Sequence, residues 1–344
     1  MSRRPTIADV AKRAGLSVAT VDRALNGRHR VREETLRRIS DASDTIGYHG
    51  AGLLRRRLKE DLPQYNLGLL VLGQTHPAFF QALAQRFTAT VNDFPGIRGT
   101  AKVGFLNWEA PGMVAEQLRQ MGAQTHSVAA VSIDHPTITA AVAELKAKGV
   151  PVFSLLTDFA QGVRESYIGV NNRKAGSTAA WLIAKTARKP GKVAIFVGSS
   201  RFHGHEMREI GFRAYFRDRA PEFQVIDTMV TPGPPELAYD ATLSLLKQYP
   251  DLVGLNVAGC GPEGVIQALR DARMAGRLTA ICNECTPDST AALAEEVMTM
   301  VIDTPLDWLC RELVTLMLRA IDSGAAHIPG QAFIPFNMMV GENI

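Results

Sequence analysis

The sequence predicts two folds in one chain: a small all-α helix-turn-helix domain, then an α/β body of two doubly wound parallel-sheet lobes. Three observations carry this. Charge divides near residue 60: residues 1–60 hold 14 Lys or Arg against 7 Asp or Glu, a net of +7, while the rest hold 24 against 27, a net of −3. Two short, capped, amphipathic segments open the chain. After Pro63, short apolar runs alternate with helical patterns.

The first segment is "TIADVAKRAG". Thr6 is a cap residue, Ile7, Val10, Ala11 and Ala14 recur at helical spacing, and Gly15 ends the helix. The second, "LSVATVDRALNG", opens at Ser17 and closes at Asn26-Gly27, where a left-handed cap is favoured. Thr20, Val21, Ala24 and Leu25 share one face, and Ala19, Asp22 and Arg23 the opposite one. Two such helices joined by Gly-Leu-Ser make a helix-turn-helix. A third helix is expected in "REETLRRISDASDTIGY", where Thr35, Leu36, Ile39, Ala42 and Ile46 lie close to the repeat and Gly47 is a stop. Three helices complete a tiny core. The basic balance of this module points to a polyanion partner, and the slightly acidic body to a different one.

Residues 5–48 resemble the DNA-binding domain of LacI/GalR-family transcription regulators in spacing and residue type, with Asp22 where the family usually has Ser. The resemblance implies that the second helix enters the major groove of double-stranded operator DNA. Val18, Ala19 and Arg23 are then base readers, and Thr6, Ser17, Thr20, Asn26 and Arg30 hold phosphates. An arginine at such a position forks onto guanine O6 and N7, a contact worth about 1–3 kcal/mol of discrimination. Asp22 either accepts from a cytosine amine or pairs with an arginine and holds its aim; DNA phosphates penalise the first role.

Residues 49–62, "HGAGLLRRRLKEDL", have helical composition but too little length for a stable isolated helix. The resemblance implies a hinge helix that folds on DNA as a dimer and inserts a leucine into the minor groove. The family's Pro-Asn after the tyrosine is replaced here by Gly50-Ala51. Leu58, one position later than the family leucine, is the expected wedge, with Leu54 as the other candidate and a plain basic linker as the simpler reading.

Beyond Pro63, "YNLGLLVLG", "VAAVSID", "VPVFSLLTD", "YIGVN", "KVAIFVG" and "LVGLNVAG" read as strands, most of them followed by a helix. About 280 residues is long for one sheet, so two lobes are expected. This body resembles the periplasmic-binding-protein-like sensor domain of the same family. The resulting division is a helix-turn-helix domain at 1–48, a hinge at 49–62 and a two-lobed effector-binding and dimerisation domain at 63–344.

Ligands of open parallel sheets bind beyond the C-terminal strand ends. Residues at those places include Phe79 and Phe80, whose aromatic faces suit the C–H side of a sugar ring. Asp158, Asn171, Asn172, Glu284 and Asp303 offer carboxylates and amides for hydroxyl groups. Arg208 matches the place where the family's sensors often set an arginine on the ligand. A sugar, polyol or close derivative is the expected effector. The family's usual Asn-Asp pair after a later strand is replaced by "GCGPEG".

Two motifs suggest other chemistry. "GCGPEG" spells G-x-G-x-x-G with Glu284 about twenty residues on, yet a glycine turn from strand to helix explains it more simply than a dinucleotide site. "CNEC", Cys282 to Cys285, has metal or redox spacing, but the remaining cysteines, Cys260 and Cys310, form no second CxxC. Four cysteines do not make a disulfide scaffold, and a reducing cytosol is expected. No apolar run reaches membrane length, and no signal peptide precedes the basic module.

The expectation is therefore a ligand-responsive regulator, a repressor of carbohydrate or related catabolic genes, acting in the cytoplasm as a homodimer on a near-palindromic operator. It needs no cofactor, metal or membrane. A solute-binding protein of a transport system would share the body, but it needs an export signal and has no use for the first sixty residues. Enzymatic activity is not expected: His203 and His205 come with no nucleophile or metal set, and are assigned to the cleft wall or to solvent.

Overall fold

The structure, a computed structural model, describes residues 4–26, 31–54, 62–73, 76–259, 261–324 and 330–344. The chain folds as two compact units, Met1–Tyr65 with Asp93–Thr100, and Asn66–Asn92 with Ala101–Ile344.

The first unit carries α1 (Ile7–Ala14), α2 (Val18–Asn26), α3 (Glu33–Thr45) and a helical turn, α4, at residues 51–54. Local chemistry fixes the ends of the first two. The Thr6 hydroxyl accepts from the Asp9 N–H while the Asp9 carboxylate accepts from the Thr6 N–H at 2.8 Å, and Gly15 stops the helix at φ 66°. The Ser17 hydroxyl accepts from Thr20 N at 3.2 Å and starts α2. The apolar stripes then meet in one core containing Val10, Ala11, Val21, Ala24, Leu25, Ile39 and Tyr48. Each large apolar side chain buried there contributes roughly 1.5–3 kcal/mol. Leu54 is also wholly buried in this core, so it is not exposed as a wedge. Leu58 and Arg30 lie outside the described residues.

The second unit is built on two sheets. One has six strands in the order β12-β5-β4-β3-β1-β2, from β1 (Gln64–Leu72), β2 (Arg98–Leu106), β3 (Ser127–Ala130), β4 (Val152–Leu155), β5 (Ser166–Val170) and β12 (Gly330–Ile334). The other runs β13-β11-β10-β9-β6-β7, with β8 also on β6, from β6 (Lys192–Val197), β7 (Gln224–Val225), β8 (Met229–Val230), β9 (Leu252–Val257), β10 (Thr279–Asn283), β11 (Met300–Asp303) and β13 (Asn337–Met339). Both have parallel interiors, and β13 is an antiparallel edge.

Helices α5 (Pro77–Asp93), α6 (Pro111–Gly122) and α7 (Pro136–Ala147) follow β1, β2 and β3, and further helices cover both faces of the second sheet. On one face α8 (Asn172–Thr186) and α9 (His203–Arg219) bury Ala179, Ile183, Phe212 and Phe216; on the other α10 (Pro235–Gln248), α11 (Pro262–Asp271) and α12 (Pro287–Ala294) bury Leu245, Val265, Leu269 and Ala292. This is why β6, β9 and β10 read as nearly unbroken apolar runs. The edge strand β2 has no such signal, because most of its residues are only partly covered, and the sequence reading passes over it.

The chain passes between the sheets three times: from β5 to α8, from β11 to α13 (Leu306–Ser323), and from β12 to β13. Beside the first passage, α8 and α9 cross in backbone contact. A Cβ on Gly176 would stand 1.8 Å from the Arg208 carbonyl oxygen, and one on Gly211 would stand 2.0 Å from that of Arg173. The two glycines thus allow the approach that sets Arg208 against the passage.

Candidate functional site

Between the C-terminal edges of the two sheets lies a partly open cavity of about 60 Å³. The six-stranded side supplies Leu72, His76, Phe79, Phe80, Val131, Leu156 and Thr157. The seven-stranded side supplies Phe202, Gly204, His205, Arg208, Gly259, Asn283 and Glu284. His76, Leu156 and Glu284 are three of the six non-glycine residues with positive φ among the described residues. Strained backbone of this kind clusters at ligand sites.

Arg208 is the centre of the polar wall. Its Nε donates to Asn172 Oδ1 at 2.7 Å, one terminal nitrogen to the Ala258 carbonyl at 3.0 Å, and the other to Glu284 Oε1 at 3.4 Å. Glu284 in turn accepts from the N–H and hydroxyl of Thr304, both at 3.1 Å. Asn172 and Thr304 stand at two of the three passages between the sheets, so this pair ties the cavity to those passages. Burial pushes the Glu284 carboxyl up, against the pull of the Arg208 guanidinium.

His205 is half-buried with its Nδ1 shut away from solvent, and desolvation first, then Arg208 and His76, hold its pKa down to about 3. Its ring is therefore neutral, and its Nδ1 has no hydrogen-bond partner. Asn283 Nδ2 is likewise buried without an acceptor. His76 Nε2 lies 2.8 Å from the Gly259 carbonyl, and its Nδ1 stands 3.8 Å from the Glu263 carboxylate. Phe79 and Phe80 meet edge to face with centroids 5.2 Å apart.

Of the expected effector residues, Phe79, Phe80, Arg208 and Glu284 come together here. Asp158, Asn171 and Asp303 do not. The Asp158 carboxylate is buried and taken up by Arg164 (Nη2 at 2.7 Å) and the Ser154 hydroxyl at 2.6 Å, while Arg164 also donates to the Gly330 carbonyl. It braces three strands instead of facing the cavity, because an arginine six residues away is a nearer partner than any ligand. Asn171 accepts from Lys174 N at 3.0 Å and caps α8. Asp303 accepts from Cys285 N at 3.0 Å beside an open groove shared with Arg86 and Asp307. His76 and Asn283 were missed by the sequence reading, and His205 was left between cleft and solvent. The usable signals were His76 heading the Phe79-Phe80 helix and His205 lying one helical turn before Arg208.

On the first unit, Val18, Ala19 and Arg23 form an exposed face of α2. Arg23 Nε donates to the Ala19 carbonyl at 3.2 Å and its Nη2 to the Thr20 hydroxyl at 3.4 Å. Asp22 accepts from Asn26 Nδ2 at 2.7 Å; its partner is this amide, where the sequence pointed to an arginine or a cytosine. Gly261, at φ 86°, caps α11 after the strand. Cys282 is buried and Cys285 half-buried; Cys260 lies outside the described residues. Among the described residues no cluster of three His, Cys, Asp or Glu is placed to hold a metal, and no helix is long and apolar enough to cross a membrane.

Two wound sheets joined by three passages around a lined cavity define a periplasmic-binding-protein-like fold. The chain belongs to the family described as periplasmic binding protein domain, which matches residues 67–325, and it carries at residues 6–50 a domain of the bacterial regulatory proteins of the lacI family. It is 28% identical over 220 residues to the HTH-type transcriptional regulator MalR of Streptomyces coelicolor, covering 62% of this chain and 59% of that protein. It is 27% identical over 216 residues to an uncharacterized HTH-type transcriptional regulator in the aml 5' region of Streptomyces limosus, covering 60% and 57%. The match thus spans less than two thirds of these regulators' length. Among solved structures, the fold is shared with a solute-binding protein from Burkholderia graminis in complex with D-arabinose (TM-score 0.72, 18% identity, 83% of this chain and 98% of that one). A solute-binding protein from Actinobacillus succinogenes with bound D-allose shares it equally (TM-score 0.71, 20% identity, 82% and 98%).

Proposed function

We propose that this protein is a ligand-responsive DNA-binding transcription regulator, a repressor of carbohydrate or related catabolic genes. It acts in the cytoplasm as a homodimer on a near-palindromic operator and takes a polyhydroxylated effector between its sheets. The observation that carries this reading is the pairing, in one chain, of an exposed arginine helix with a cavity between two sheets whose wall keeps unpartnered buried polar atoms. Arg23 reads bases from α2, with Val18 and Ala19 beside it, while Thr6, Ser17, Thr20, Asn26 and Arg30 hold phosphates. Sugars bound in relatives of the fold support a carbohydrate in the cavity, where Phe79 and Phe80 take the apolar face of the ring.

The coupling follows from size. About 60 Å³ is well below the roughly 300–1,000 Å³ of ordinary ligand pockets, so a monosaccharide enters only as the walls part. Parting them strains the Arg208–Asn172 and Glu284–Thr304 contacts at the passages and favours a second arrangement of the sheets. Effector and operator then change each other's affinity by the same factor.

Sequencing the genomic fragments retained by the full-length protein, with and without a panel of pentoses and hexoses, tests this. We expect a few near-palindromic sites whose retention changes with one sugar, and an affinity that falls steeply with salt. Retention of random DNA alone, indifferent to every sugar, overturns it.

A further inference from the structure

The chemistry of the cavity wall says more about the effector than that it carries hydroxyls, and this step rests on the proposal that a polyol binds there. The guanidinium of the wall already faces a carboxylate. Arg208 is 3.4 Å from Glu284 and spends its other donors on Asn172 and the Ala258 carbonyl. His76 Nδ1 is buried without a hydrogen bond and stands 3.8 Å from the Glu263 carboxylate, whose negative charge opposes an anion there. His205 brings no charge to the wall, since burial and the Arg208 guanidinium keep its ring neutral.

An anion placed in this space leaves water and finds no uncommitted positive charge, which costs far more than burying a hydrogen-bonded hydroxyl. Three buried atoms of the wall have no hydrogen-bond partner, and two of them, His205 Nδ1 and Asn283 Nδ2, stand away from any carboxylate and pose the opposite demand. A hydroxyl serves either tautomer of a neutral imidazole, because it both donates and accepts, and it can also accept from an amide N–H. A carboxylate or phosphate only accepts when ionised.

We propose that the effector is an uncharged polyhydroxylated molecule that sets hydroxyls against His205 Nδ1 and Asn283 Nδ2, and that its phosphorylated and carboxylated forms are rejected. His205 is thereby a specificity-determining residue: it separates a free sugar from the charged derivatives made from it by phosphorylation or oxidation.

Calorimetric titration of the full-length protein tests this with D-arabinose, D-fucose, D-allose, D-galactose and D-glucose, and with D-glucose 6-phosphate and D-glucuronate as charged counterparts. The strongest neutral ligand is then titrated into His205→Leu, His205→Asn and Asn283→Ala. We expect at least one neutral sugar to bind and both charged counterparts to bind at least about a hundredfold more weakly than it. His205→Leu should weaken that sugar about tenfold or more, with part of the loss restored in His205→Asn, which keeps an amide oxygen near the Nδ1 position. Asn283→Ala should weaken it by a similar factor. Tighter binding of a charged counterpart overturns the inference. So does an unchanged affinity in a folded His205→Leu protein, which leaves the polyol reading standing. Binding of no sugar, charged or neutral, overturns both.

Discussion

Two arginines, Arg23 and Arg208, carry the two recognition surfaces, and they are held in different ways. Arg23 is exposed and, among the described residues, bonds to groups three and four residues back on its own helix. Arg208 is buried and bonds to partners 36, 50 and 76 residues away in sequence. The first is a free tool on a small local scaffold. The second is part of the scaffold itself. A residue of the first kind changes recognition without changing the fold, whereas one of the second kind changes both.

The largest test of this contrast is Arg208→Ala. It strands Glu284, Asn172 and the Ala258 carbonyl in the interior, and leaving half of a buried ion pair costs about 3–5 kcal/mol. Denaturant unfolding should show that loss along with the loss of any effector response. A folded protein of unchanged stability would move Arg208 into the same category as Arg23.

The next test uses pH. In the folded chain His205 stays neutral to about pH 3, whereas in the unfolded chain it takes up a proton near 6.5. Between those values the unfolded state binds more protons, so His205 contributes stability that is complete above about pH 6.5 and is lost as pH falls, with a limiting slope of ~1.4 kcal/mol per pH unit. Glu284 acts in the opposite sense, since its raised pKa favours the folded state at low pH and loses that effect as pH rises. Stability of wild type minus that of His205→Asn, measured from pH 7 to pH 5, isolates the histidine. A flat difference would place its ring in contact with water.

Arg23→Ala should leave unfolding unchanged and cost about 1–3 kcal/mol on the operator, with little change on random DNA. Equal losses on both would reduce Arg23 to a phosphate contact. The smallest effect belongs to Thr6→Ala, which removes one side of a reciprocal cap and should lower the stability of the first unit by about 1 kcal/mol. A much larger loss would mean that this helix end carries more of the small core than its cap.

The sequence by itself determined the features whose partners are neighbours in the chain. The Thr6 and Ser17 caps, the Gly15 stop, the inward face of α2 and the buried strands β1, β3 to β6 and β9 all follow from residues within a turn or from apolar runs. Phe79, Phe80, Arg208 and Glu284 were also legible, the aromatics and Glu284 because they follow strand ends and Arg208 through its place in a family pattern. Only the tertiary structure decided which polar groups remain available. Asp158 looks equivalent to Glu284 in sequence, yet Arg164 and Ser154 fold onto it and use up its oxygens. Asn171 and Asp303 likewise satisfy backbone N–H groups, and Asp22 meets Asn26. His205 and Asn283 carry no motif at all; their value lies in the partners they lack, a property of the packed interior that arises when two sheets close over atoms nearly 80 residues apart. Short-range patterns are set by backbone geometry and so survive in a string of letters. Competition among buried donors and acceptors is settled only in three dimensions, because each group bonds to whichever partner the fold brings nearest.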